Sequence, residues 1–121
     1  MENQDIKDLI ASFQLAENVL IALGDETRIH MVTAMLNAAA NKEHCEGMRV
    51  GEIATIASLS RPAISHHIKI LKEAGIIQCH REGTKNYYFL DPDTTKIQEV
   101  VTCLNQALSL MQKEKKNHGR P

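Results

Sequence analysis

Residues 60–75, SRPAISHHIKILKEAG, gather the side chains best suited to recognise another molecule. At about 100° per residue, Arg61, Ser65, His66, Lys69, Lys72 and Glu73 fall on one arc of a helix, and Ala63, Ile64, Ile68, Ile70, Leu71 and Ala74 on the other. Cations outnumber the single carboxylate on the polar arc. Arg61 can place its fork on guanine O6 and N7 or on a phosphate. Ser65 can donate or accept, and His66 can donate to a purine N7 or a phosphate. Short polar groups near a helix start, backed by Arg61 and Lys69, suit a helix that enters a DNA major groove end-first. The alternative is an amphipathic surface helix with a solvated face. His67 falls in the middle of the apolar arc, which makes it a packed, hydrogen-bonded structural histidine.

The other reactive residues form weaker patterns. His44 and Cys45 stand side by side in a polar stretch, but zinc needs three or four ligands, so only a symmetric partner could complete a site there. Cys45, Cys79 and Cys103 are odd in number and widely spaced, which is no disulfide framework of a secreted protein. Cys79 lies in a strand-forming run as a small apolar residue. Cys103 serves packing, or meets its symmetry mate as a redox switch. No Ser/His/Asp array, phosphate-binding glycine loop or paired-carboxylate cleft is visible, so no enzyme is expected.

The elements that must carry the polar arc follow from periodicity. Ile6, Leu9, Ile10, Phe13, Ala16, Leu20 and Leu23 mark a helix over 4–23. Gly24 ends it, and Asp25 can cap a second helix over 26–40, whose apolar face reads Ile29, Val32, Leu36 and Ala39. The polar stretch 41–47 is a loop, and a short third helix covers 50–58. Ser60 as N-cap, Pro62 in the first turn and Gly75 after the last periodic residue bound the fourth helix. Two helices joined this tightly, the second basic on one face, make a helix-turn-helix. The run IIQCHREGTKNYYFL, broken at Glu82-Gly83-Thr84, is a hairpin with Arg81 and Lys85 at its tip, placed for phosphates. A hairpin directly after a recognition helix is a wing.

Asp91-Pro92 opens a last helix, with Pro92 in its first turn. It has two apolar faces. Ile97, Val101, Leu104, Leu108 and Met111 would cover the protomer's own core, and Val100, Cys103, Ala107 and Leu110 would meet a second subunit. Phe13 and the first helix join that dimer interface. Residues 113–121, KEKKNHGRP, are charged and expected to be disordered, which leaves 1–112 as one DNA-binding and dimerisation domain. The fold expected is mainly α with a small hairpin, in the order α-α-α-α-β-β-α.

Composition agrees. With 121 residues, two Tyr, two Phe and no Trp, the chain suits one domain with an aliphatic, helix-on-helix core. A net charge of −1 hides an uneven distribution, acidic over 1–26 and basic over 60–85. Neither a signal peptide nor a membrane-length apolar run is seen, which points to the cytoplasm.

These segments resemble the ArsR/SmtB family of winged-helix regulators. The likeness is carried by ALGDETRIHMV (22–32), VGEIA (50–54), LSRPAISHHIKILKEAGII (59–77) and REGTKNYYFLDP (81–92). It implies a homodimer on an operator of inverted symmetry, acting as a repressor and released by an inducer. It places Ser65 and His66 at base-contacting positions, with Ser60, Arg61, Lys69, Arg81 and Lys85 as further DNA contacts. Pro62 stands where relatives often carry Ser. The family's metal sites are not matched. Arg49 and Gly51 occupy the Cys-x-Cys positions of the third helix, and Asp91 and Asp93 have no histidine partner on the last helix. No metal or cofactor is therefore expected, and the inducer is not legible. Sulfur-sensing relatives pair a second-helix cysteine with one late in the last helix; the second helix here has none, and Cys103 falls a turn early. A thiol- or sulfide-responsive repressor using Cys45, Cys79 or Cys103 is the alternative. A winged helix serving only protein–protein contact is another, disfavoured by the basic polar arc.

Overall fold

The computed structural model describes residues 2–41 and 47–117. His44 and Cys45 lie outside the described residues. Five helices and one hairpin follow in order: α1 (Asn3–Leu23), α2 (Glu26–Ala40), α3 (Val50–Ala57), α4 (Arg61–Glu73), β1 (Ile77–Glu82), β2 (Lys85–Leu90) and α5 (Thr95–Asn117). Helices α3 and α4 make the helix-turn-helix and the antiparallel pair β1–β2 is the wing.

Local chemistry sets most boundaries. Asp25 Oδ2 caps α2 by accepting from Arg28 N at 3.0 Å. Glu52 Oε1 accepts from Arg49 N at 2.9 Å at the start of α3. Ser58 closes α3 in a left-handed conformation, φ 57°, and Leu59 N donates back to Ala54 O at 3.1 Å. That turn swings α4 across α3. In the hairpin Glu82 pairs with Lys85, so the turn is Gly83-Thr84 alone and Glu82 belongs to β1. Ahead of α3, Met48 and Tyr88 exchange two backbone hydrogen bonds of 2.8 Å, tying the wing to the helical body. The core lies where α1, α2, α3, α4, α5 and β1 meet, with Val19, Met31, Ile53, Ile64, Leu71, Ile77 and Cys103 fully enclosed.

Four sequence expectations are corrected. The apolar face of α2 is not Ile29, Leu36 and Ala39, which are exposed, but Met31, Met35 and Ala38 together with Arg28. The helix is turned by about one residue because Arg28 finds buried acceptors, so its stripe becomes the inward one. Helix α5 starts at Thr95, and Pro92 lies before it. Asp91 Oδ1 accepts from Asp93 N at 2.9 Å, and Asp93 Oδ1 accepts from Thr95 N at 3.0 Å and from the Thr95 hydroxyl at 2.7 Å. These side-chain turns hold the backbone out of helix until Thr95.

The same helix continues to Asn117, so residues 113–117 are not a disordered tail. Lys113 Nζ reaches Asp5 on α1 at 3.8 Å. Finally, the two faces of α5 are exchanged. Val100, Cys103 and Leu110 are buried within the protomer and Ala107 is half-buried. Ile97, Val101, Leu104, Leu108 and Met111 are the exposed stripe. Small residues explain this: Cys103, Val100 and Ala107 let α5 lie close to Ala16 and Val19 of α1, where bulkier side chains would hold the helices apart. The pair is also linked by Ser12 to Gln106. Val100, Cys103 and Leu110 are thus core residues of the protomer and not the expected dimer interface, whereas Phe13 on α1 is exposed.

Candidate nucleic-acid interface

Helix α4 presents its polar arc to solvent because Ile64, Ile68 and Leu71 anchor the opposite side in the core. Arg61, Ser65, His66 and Lys69 are all exposed. Ser60 is engaged as the N-cap, its hydroxyl accepting from Ala63 N at 3.4 Å. Arg61 does not extend freely from the helix. Its guanidinium crosses the first turn of α3, and a Cβ on Gly51 would lie 2.9 Å from Arg61 Nη2. Glycine at that position therefore leaves the room in which Arg61 folds across the start of α3. The neighbouring Arg49 guanidinium sits 5.7 Å from the centre of the Tyr87 ring on the wing. Two guanidinium groups thus frame the start of α3, beside the Glu52 carboxylate that accepts from Arg49 N.

Between α4 and the wing runs an open groove of about 270 Å³, lined by Ser65, Ile68, Lys69, Lys72, Glu73 and Tyr88. Lys69 Nζ stands 4.0 Å from Glu73 on the same helix, a weak surface pair that a phosphate can displace. Burial pushes the Tyr88 phenol up from its ordinary value, helped by Cys79 across the hairpin, so the hydroxyl stays a donor. At the wing tip Arg81 Nε donates to Gly83 O at 2.9 Å, which braces the guanidinium against the turn. Lys85 stands opposite Glu82, and Glu82 is held by His80 Nε2 at 3.2 Å. Arg81 and Lys85 therefore both stand at the hairpin end, on opposite faces of the ribbon, and Ser65 and Lys69 share the groove that leads toward the wing.

Two arginines take structural roles that periodicity does not reveal. Arg28 is the one charged side chain buried among the described residues. Its signal was its place at the head of the stripe Arg28, Met31, Met35, Ala38, at helical spacing. It donates to Ala22 O and Ile21 O and touches His67. Arg49 carried no signal, since only the fold brings Tyr87 to it. Asp91 and Asp93 spend their oxygens on Gln78 and on the turn before α5. No cluster of three or more His, Cys, Asp or Glu side chains arranged for a metal occurs among the described residues. Nor is any described helix long and apolar enough to cross a membrane.

Comparison with known proteins agrees with this architecture. Residues 25–78 match the family model for bacterial regulatory proteins of the arsR family. The chain is 32% identical over 94 residues to an uncharacterized HTH-type transcriptional regulator of Methanocaldococcus jannaschii, covering 78% of this chain and 96% of that protein. It is 36% identical over 87 residues to the transcriptional repressor SdpR of Bacillus subtilis, covering 72% and 86%. A solved ArsR family transcriptional regulator superposes with a TM-score of 0.65 at 19% identity, covering 82% of this chain and 92% of that one. A homodimeric winged helix-turn-helix domain from Mycobacterium bovis superposes with a TM-score of 0.59 at 18% identity, covering 93% and 92%. The fold, the exposed recognition helix and these relatives together establish that the chain belongs to the arsR family of bacterial regulatory proteins and is a winged helix-turn-helix transcriptional regulator.

Proposed function

We propose that the protein is a homodimeric repressor that binds an operator of inverted symmetry and leaves it when an inducer binds. In this reading α4 lies in the major groove, with Ser65 and His66 on base edges. Ser60, Arg61 and Lys69 hold the flanking backbone, and Arg81 and Lys85 of the wing hold phosphate. The observation that carries it is the exposed cationic side of α4, which opens into the groove shared with Tyr88. The relative SdpR is a repressor, and the M. bovis domain is homodimeric. The second subunit would cover the stripe Ile97, Val101, Leu104, Leu108 and Met111 of α5 with Phe13 of α1, apolar surface that a lone protomer leaves in water. Repression places its work in the cytoplasm, on the chromosome.

Thiol control through Cys103 has no support, because that sulfur is fully enclosed by α1 and α5. Cys79 is half-buried on the wing, and Cys45 lies outside the described residues.

The test is selection of duplexes from fragmented genomic DNA on the immobilised protein, followed by binding to the retained sequence. Ser65→Ala and His66→Ala should each cost about 1–3 kcal/mol at one base step. A double alanine variant that discriminates the retained duplex as the wild type does would refute the assignment.

A further inference from the structure

A cavity of about 230 Å³ opens between α2 and β2. Met35 and Ala39 of α2 line it together with Tyr88, Phe89 and Leu90 of β2, and Met48 closes it ahead of α3. Local features keep this space open. On the α2 side Ala38 and Ala39 present only methyl groups, which cannot reach across. On the other side Met48 and Tyr88 are tied by two backbone hydrogen bonds of 2.8 Å. Gly47 comes so close to β2 that a Cβ would lie 2.6 Å from Tyr88 O. The walls are therefore held by the fold itself, and the cavity stands preformed.

The lining selects its occupant. None of the side chains around the cavity carries a full charge, so an ion drawn into it would lose water and gain no partner. Met35 and Met48 are 5% and 2% exposed, and thioether sulfurs make favourable contacts with aromatic rings. An apolar cavity of about 150 Å³ suffices for benzene, so this one has room for a ring bearing a short substituent or a fused second ring. We propose that the cavity between α2 and β2 is a binding site for a small uncharged aromatic molecule. It is distinct from the groove between α4 and the wing, although Tyr88 contributes to the wall of both, and it stands whether or not α4 reads DNA as proposed above.

The experiment titrates the full-length protein with indole. The chain has no tryptophan, so indole emission is read without background from the protein when it is excited beyond the tyrosine band. Saturable binding at submillimolar concentration should move that emission to the blue, as the ring leaves water. Methionine ¹³C-methyl spectra place the probe. Met35 and Met48 should shift, whereas Met31, enclosed in the core away from the cavity, and Met111, 68% exposed on the outer stripe of α5, should not. Ala39→Leu is the blocking variant: Ala39 is exposed on α2, so leucine keeps the helix and fills the cavity from its side, which melting curves check. It should weaken indole by about tenfold, the lower scale of an overpacking cost. No saturable binding, shifts at Met111 in place of Met35 and Met48, or equal affinity in a folded Ala39→Leu would each overturn the inference.

Discussion

Replacing Leu104 and Leu108 together with serine should turn a dimer into a folded monomer. The two leucines are 50% and 54% exposed in the protomer, so their truncation leaves the core of each subunit almost untouched. Full burial of a leucine side chain is worth about 2 kcal/mol, and the half still in water leaves about 1 kcal/mol per residue to gain at an interface. Two residues in each of two subunits amount to about 4 kcal/mol, a roughly thousandfold rise in the dimer dissociation constant. Sedimentation equilibrium across micromolar concentrations reads that shift directly, and circular dichroism checks that the helices persist. DNA affinity should fall further than the loss of either half-site explains, because linked modules bind with avidity. The contrasting substitution is Val100→Ser on the buried side of α5, which should lower the melting temperature instead. A double serine variant that remains dimeric at wild-type concentrations, or a wild type that is monomeric there, would refute the assignment of this stripe.

Lys85→Ala should weaken binding to all duplexes alike and reduce the slope of log affinity against log salt by about one unit, measured by anisotropy in a salt series. Gly47→Ala should break the tie between wing and body, since φ is 104° and the new Cβ would lie 2.6 Å from Tyr88 O; chemical denaturation should report a loss of about 1–3 kcal/mol, the range of a strained left-handed residue. Asp93 is held below the usual carboxylate range by the Thr95 hydroxyl first and the Thr95 N–H second. Its contribution to stability is therefore complete above about pH 4 and is lost as pH falls through the lower folded-state value. Melting curves of wild type and Asp93→Ala should accordingly differ near neutral pH and converge in acid.

Much of this protein follows from local rules that a sequence displays. Ser60 and Gly75 bound α4, Asp25 caps α2, and the switch from helical to strand patterning at Ile76 announces the wing; each depends on neighbours within a few residues. The polar arc of α4 is legible for the same reason, since helical periodicity alone separates Ser65 and His66 from Ile64 and Ile68. Choosing between two apolar stripes on one helix is a different problem. On α5 both stripes are hydrophobic, and only the close approach of α1 selects the side with Cys103, Val100 and Ala107. Helix α2 turns toward Arg28 rather than Ile29 because the carbonyls that end α1 satisfy the guanidinium, acceptors that no spacing within α2 reveals. Arg61 over Gly51, Arg49 over Tyr87 and Arg28 against His67 are likewise contacts between segments far apart in the chain. Sequence periodicity determines which residues share a face; packing geometry and the partners available to buried polar groups decide which face turns inward.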